Sequence, residues 1–157
     1  MNKIKFSYLA VFLGIFTILV PVKSFSQSLT KANNIGLGIM FGEPTGISFK
    51  SWNNSKTAYD AGIAWSFSQE DAIHIHGDFL WHIWLDEKPG KLALYYGIGA
   101  RALFADDFTV GVRIPVGLNY MIEDSPVGVF LEIAPVLDLI PNTDGDGNGA
   151  IGVRYYF

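Results

Sequence analysis

From Asn33 onward, apolar and polar or small residues alternate along nearly the whole chain. In Asn33–Phe41, Ile35, Leu37, Ile39 and Phe41 oppose Gly36, Gly38 and Met40. Ile47 and Phe49 oppose Ser48 and Lys50, and Tyr59, Ala61, Ile63, Trp65 and Phe67 oppose Ala58, Asp60, Gly62, Ala64 and Ser66. In "AIHIHGDFLWHIW", Ala72–Trp84, the set Ile73, Ile75, Gly77, Phe79, Trp81, Ile83 opposes His74, His76, Asp78, Leu80, His82, Trp84. The same two-residue period runs through Leu92–Ala102, Val110–Tyr120, Val127–Asp138 and Ile151–Phe157. A period of two is the signature of strands with chemically different faces, and no helical period of 3.6 stands out.

Turn signals separate these runs: "GEPTG" at Gly42–Gly46, "NNSK" at Asn53–Lys56, "SQED" at Ser68–Asp71, "LDEKPGK" at Leu85–Lys91, "ADD" at Ala105–Asp107 and "IEDS" at Ile122–Ser125. A polar loop, "PNTDGDGNG", precedes the last run. About eight strands joined by short turns predict an antiparallel up-and-down meander that closes on itself and so removes its edges. The expected class is all-β, a closed transmembrane β-barrel with a packed polar lumen.

The first residues change the picture of where the chain goes. Lys3 and Lys5 precede an apolar run from Phe6 to Val22, and small residues follow at Ser24 and Ser26. This is the plan of a secretory signal peptide, residues 1–26, cleaved before Gln27, with a single barrel domain over 27–157. The run is short for a membrane-spanning helix. The chain has no cysteine, so disulfides, thiolate metal sites and a lipid-anchored cysteine are all absent. The leader holds Lys3, Lys5 and Lys23 and no acid, so eight of the 11 basic residues face all 15 acidic ones in the remainder. That acidic balance argues against nucleic acid as a partner.

Alternation alone does not say which face is outside: a soluble barrel encloses its apolar face, a membrane barrel its polar one. Four features favour the membrane. The apolar face is nearly unbroken. The opposite face mixes glycine and alanine with Lys50, Asp60, Asp78, Arg101, Arg113, Glu132, Asp138 and Arg154, which suits a narrow interior packed with long charged chains. Aromatics (Tyr59, Phe67, Tyr120, Tyr155, Phe157) recur near strand ends on the apolar face, as an interfacial girdle requires. The chain stops on Phe157, outward by parity. Arg113, then Glu132 and Asp138, then Arg154 lie on three consecutive strands, so antiparallel pairing is expected to bring acids and bases together. The rival is a soluble lipocalin-like barrel with the aromatic face around a ligand.

With these strands and termini placed, the chain resembles the small eight-stranded outer-membrane barrels of the OmpA-transmembrane and OmpX type. More narrowly, "GEPTGISFKSW" (Gly42–Trp52), "RIPVGLNYM" (Arg113–Met121), "FLEIAPVLDLIP" (Phe130–Pro141) and "AIGVRYYF" (Ala150–Phe157) look like a group of small bacterial outer-membrane barrels of unestablished function. The resemblance covers the chain after the leader. It implies outer-membrane localisation after secretion to the periplasm, and barrel-assembly machinery as a partner that reads Tyr155 and Phe157 in the last strand. It brings no reaction to carry over. No loop is long enough to build the extended surface fin of the OmpX type, which weakens an adhesin reading.

The histidine cluster is the first candidate for chemistry. His74 and His76 are spaced about 6.5–7 Å on one strand face, so they bracket a metal only with ligands from a neighbour, and His82 lies too far along. The plainer expectation is neutral imidazoles filling a polar lumen and hydrogen-bonding to Asp60, Asp78 or tyrosines. Lipid A palmitoyl transferases and deacylases are small outer-membrane barrels that use His with Ser. Here Ser48 or Ser66 would be the nucleophile, with Asp78 or Asp60 orienting a histidine. Those groups face inward, away from lipid, and no motif of either enzyme is present. "DGDGNG", Asp144–Gly149, copies the first half of a calcium loop, but its twelfth position is Tyr155 where a glutamate is needed, and a strand follows. A flexible acidic hairpin turn is expected, with Asp144, Asp146 and Asn148 as weak metal candidates. The reading is therefore a non-enzymatic, monomeric envelope barrel without a cofactor. Eight strands leave an interior wide enough only for side chains, so no wide pore is expected.

Overall fold

The computed structural model describes residues 34–66, 72–85 and 90–157, without the Ser66 side chain. The signal-peptide reading, Phe67 and the turn Ser68–Asp71 lie outside the described residues. Among the described residues nine strands follow one another: β1 Ile35–Glu43, β2 Thr45–Trp52, β3 Thr57–Ser66, β4 Ala72–Leu85, β5 Lys91–Phe104, β6 Phe108–Arg113, β7 Val116–Met121, β8 Val127–Ile140 and β9 Asp144–Tyr156. All pairings are antiparallel, and β1 pairs with β9, which closes the ring. β6 and β7 both pair with β5 on one side and β8 on the other, so they are two halves of one stave and the barrel has eight.

The single strand expected over Val110–Tyr120 is thus interrupted at Ile114–Pro115. Proline has no N–H to give the ladder, which is why the stave breaks there. Local pairing survives through the Gly97 N–H to the Pro115 carbonyl (2.9 Å) and the Ile114 N–H to the Pro135 carbonyl (3.0 Å). The pairing of β6 with β8 also slips by one residue between Val110 and Gly111.

A second correction concerns "DGDGNG". It is not a flexible turn: Asp144–Gly149 is the first half of β9, paired with Ile133–Asp138 of β8, and the turn shrinks to Pro141–Thr143. The tight β1–β2 turn at Pro44 is held by Thr45, whose hydroxyl donates to the Gly42 carbonyl (2.8 Å) and accepts from the Gly42 N–H (3.1 Å). Gly42 has φ 139°, which a side chain would strain. In the β2–β3 turn, Asn54 Oδ1 accepts from the Lys56 and Thr57 N–H groups (2.8 and 2.9 Å), the side-chain turn for which asparagine is suited.

The start of β1 and the end of β9 lie at one end of the barrel with the β2–β3 and β7–β8 turns; the β1–β2, β5–β6 and β8–β9 turns lie at the opposite end. Paired residues followed around the ring from Gly38 pass through Ser48, Gly62, His76, Arg101, Gly111 and Asp138 to Asp144. That is ten residues short of Arg154, the partner of Gly38 itself. This stagger tilts the strands and narrows the interior.

The burial pattern is inverted relative to a soluble protein. Ile133 is 63% exposed and Trp65 57%, whereas Lys50 is 0% and Arg113 1% exposed. The exposed apolar side chains form a continuous band around the barrel, far beyond the isolated patches that soluble monomers carry. The lipocalin-like alternative, which needs the polar face in water, is overturned by this arrangement.

Candidate functional site

The polar face of every stave converges on the lumen. Lys50, Asp60, His74, His76, Asp78, His82, Arg101, Arg113, Glu132, Asp138 and Arg154 are all buried there. Charges of this kind are tolerable away from water only when paired and hydrogen-bonded.

Three arginine centres organise the lumen. Arg113 on β6 takes Glu132 on β8 through Nη2 and Asp78 on β4 through Nε, the latter at 3.1 Å. Tyr95 on β5 donates its hydroxyl to the other Glu132 oxygen at 2.8 Å. Arg101 on β5 makes a two-point contact with Asp138 on β8 (3.1 and 2.6 Å), and its Nη1 reaches Asp146 on β9 (2.6 Å). Arg154 on β9 crosses the interior to Asp60 on β3 (2.7 and 3.0 Å), donates Nε–H to Ser48 Oγ (2.8 Å), and lies 3.7 Å above the Phe130 ring. Paired guanidinium–carboxylate bonds are both strong and directional.

The pairing expected from consecutive strands is only partly what forms. Arg113 does meet Glu132, but Arg154 passes over the acids of neighbouring β8 and binds Asp60. The reason is visible in the register. Asp78, Gly99 and Arg113 are directly paired on β4, β5 and β6. Arg101, Gly111 and Asp138 repeat the arrangement on β5, β6 and β8. So do Tyr95, Gly117 and Glu132 on β5, β7 and β8, and Ser48, Gly38 and Arg154 on β2, β1 and β9. In each trio the outer two meet across the glycine, Asp78 and Arg113 as an ion pair without a hydrogen bond and the other three pairs through hydrogen bonds. A Cβ on Gly99 would overlap an Asp78 carboxylate oxygen, one on Gly111 an Asp138 oxygen, and one on Gly117 the Tyr95 ring. Glycine on the inner face therefore opens the path for its two neighbours to meet.

The histidines do not bond to the carboxylates as expected: Arg154 takes both oxygens of Asp60, and Asp78 has an ion pair with Arg113 but no hydrogen bond. His82 Nε2 lies 2.8 Å from Lys50 Nζ. An ammonium and an imidazolium carry only donors, so at least one of the two accepts in its neutral form. The Lys50 ammonium also sits 4.8 Å from the Trp52 and Tyr95 ring centres. Trp52 stacks on Trp84 at 5.7 Å, and the Trp84 indole N–H donates to the Ser55 carbonyl at 2.6 Å. Together they fill the lumen at the terminal end, a plug that sequence inspection missed. Trp52 and Trp84 share the inward parity of Lys50 and His82, which was the available signal. His74 and His76 meet edge to face at 5.4 Å.

Ser48, one of the two candidate nucleophiles, is 1% exposed and bonded to Arg154, not to an imidazole. The Ser66 side chain is outside the described residues. Among the described residues no three histidines or carboxylates converge as metal ligands. Asp144 and Asp146 instead accept from the N–H groups of Gly145 (2.8 Å) and Gly147 (2.7 Å), and Asp146 also serves Arg101, while Asn148 faces inward between them and Ala150. Tyr155 and Phe157 project outward, their rings 5.0 Å apart.

No family model and no curated protein matches this sequence. Among solved structures, the N-terminal β-barrel domain of Pseudomonas aeruginosa OprF is similar over 81% of this chain and 100% of its own length, at 13% identity and a TM-score of 0.61. Neisserial surface protein A is similar over 78% of this chain and 93% of its own, at 13% identity and a TM-score of 0.49. The fold is that of the small eight-stranded outer-membrane barrels, the OmpA type.

Proposed function

We propose that this chain is a monomeric outer-membrane barrel of a Gram-negative-type bacterium that serves the cell envelope as a structural or interaction protein, without a reaction of its own and without a wide pore. The observation that carries this reading is the occupancy of the lumen: ion-paired arginines fill its middle, and stacked Trp52 and Trp84 with Lys50 and His82 fill one end. An open conduit needs water where these side chains meet.

Secretion to the periplasm with loss of residues 1–26 supplies the route, and the outward Tyr155 and Phe157 of the last strand offer the assembly signal. Because β1 begins and β9 ends at one end of the barrel, insertion from the periplasm that keeps this end behind carries the opposite end across the bilayer. The terminal end then stays periplasmic. Among the described residues, the candidate nucleophile Ser48 bonds to Arg154 rather than to an imidazole.

Membrane fractionation with gel migration before and after heating tests the reading. Recovery in the outer membrane, with a heat-modifiable band and no single-channel steps in planar bilayers beyond narrow ion leakage, is the expected result. A soluble periplasmic protein, large stable conductance, or lipid A altered on overproduction and restored by His76→Ala would each overturn it.

A further inference from the structure

The barrel wall is not fully closed at the end away from the termini. β9 runs from Asp144, but its pairing with β1 ends where Gly149 meets Glu43. Over Asp144–Asn148 it pairs only with β8, and among the described residues no strand is paired on its other side. The stagger of the barrel lifts the β8–β9 hairpin past the short β1–β2 hairpin and leaves a strand edge standing beyond the rim.

The direction of the exposed groups follows from the ladder. The Phe157 N–H bonds to Ile35 on β1, and the Tyr156 N–H bonds to Pro126 beside β8. Alternation then turns the backbone groups of Gly145 and Gly147 toward the open side. These glycines are exposed, and a Cβ on either would meet nothing within 4 Å, so the outer face of this segment is open. Such an edge is a template for strand addition.

Its donors are guarded. Asp144 and Asp146 hold the Gly145 and Gly147 N–H groups with their own carboxylates. An incoming strand must displace these carboxylates; Asp146 already pairs with Arg101, and a segment that brings ammonium or guanidinium groups gives the freed Asp144 a partner. The surrounding rim reinforces that selection: Glu43, Asp106, Asp107 and Asp144 lie at this end, and residues 41–46, 64–66, 72–73, 103–109 and 139–149 contain no lysine or arginine. A second copy of the chain fits poorly, because edge-to-edge pairing sets aspartates against aspartates.

We propose that the Asp144–Asn148 edge of β9 is a docking site for an extended, cationic polypeptide segment of a partner protein, added as a further strand. The test uses the full mature barrel in zwitterionic nanodiscs and a blocked heptapeptide of alternating lysine and valine, with the glutamate–valine peptide as control. Amide NMR signals of Gly145 and Gly147 are expected to shift with the lysine peptide alone. Gly147→Pro, which removes an edge donor, and Asp144→Lys, which reverses the charge, are each expected to weaken binding about tenfold or more while the heat-modifiable band persists. Absence of binding, binding that Gly147→Pro leaves unchanged, or self-association through this edge would overturn the proposal; the second outcome would mean attraction to surface charge alone.

Discussion

Asp78 on β4 and Arg113 on β6 are 3.1 Å apart although a whole strand separates them, and Gly99 of β5 lies between. Each arginine centre of the lumen includes one contact made across such a glycine. Gly99→Val is therefore expected to cost about 3 kcal/mol, the scale of breaking a buried ion pair. Urea unfolding in micelles reads it as a lower midpoint with an unchanged slope. Gly77→Val is the control: Gly77 lies beside Gly99 on the neighbouring strand but faces outward into open space, and it is expected to cost nothing measurable.

Removing one member of the central cluster leaves uncompensated charge behind. Arg113→Met strands Asp78 and Glu132 and is expected to lose about 3–5 kcal/mol. The triple variant Arg113→Met, Asp78→Asn, Glu132→Gln removes the charges together and is expected to recover most of that loss. Equal losses in single and triple variants would mean that shape, not charge pairing, stabilises this layer.

Which face each strand turns to the lumen was legible in the sequence, because a period of two fixes which residues share a face and the glycines and full charges of one face mark it as a narrow packed interior. His74, His76 and His82 share a side with Asp78 by parity alone. The partners were not legible. Arg154 meets Asp60 across the interior because of barrel stagger, a property of closure that no local stretch encodes. The break at Pro115 was signalled by its own residue type but hidden inside a regular alternation. "DGDGNG" misled for a related reason: glycine and aspartate disfavour strands in isolation, and only the β8 ladder and the Arg101–Asp146 pair make a strand of them.

That pair gives a separate test of the hairpin. Arg101 and Asp146 are expected to couple by about 1 kcal/mol in a double-mutant cycle with Arg101→Met and Asp146→Ala, since the aspartate is partly solvated. A flexible loop predicts zero coupling.

The apolar band makes its own demand. Ile75→Arg, on the outer face of β4, is expected to cost about 2–4 kcal/mol in a bilayer. Asp106→Arg, in the β5–β6 turn, is expected to change stability by no more than about 0.5 kcal/mol. Reversible unfolding in lipid vesicles compares the two.

The four tryptophans divide evenly between the two faces: Trp65 and Trp81 project outward, while Trp52 and Trp84 stack inside the terminal end. Four variants that each keep one tryptophan, folded into vesicles with brominated acyl chains, read this directly by fluorescence quenching. Strong quenching of Trp65 and Trp81 with Trp52 and Trp84 protected is the predicted result. Quenching of Trp52 and Trp84 with Trp65 and Trp81 protected would contradict the account of a polar lumen inside an apolar, membrane-embedded wall.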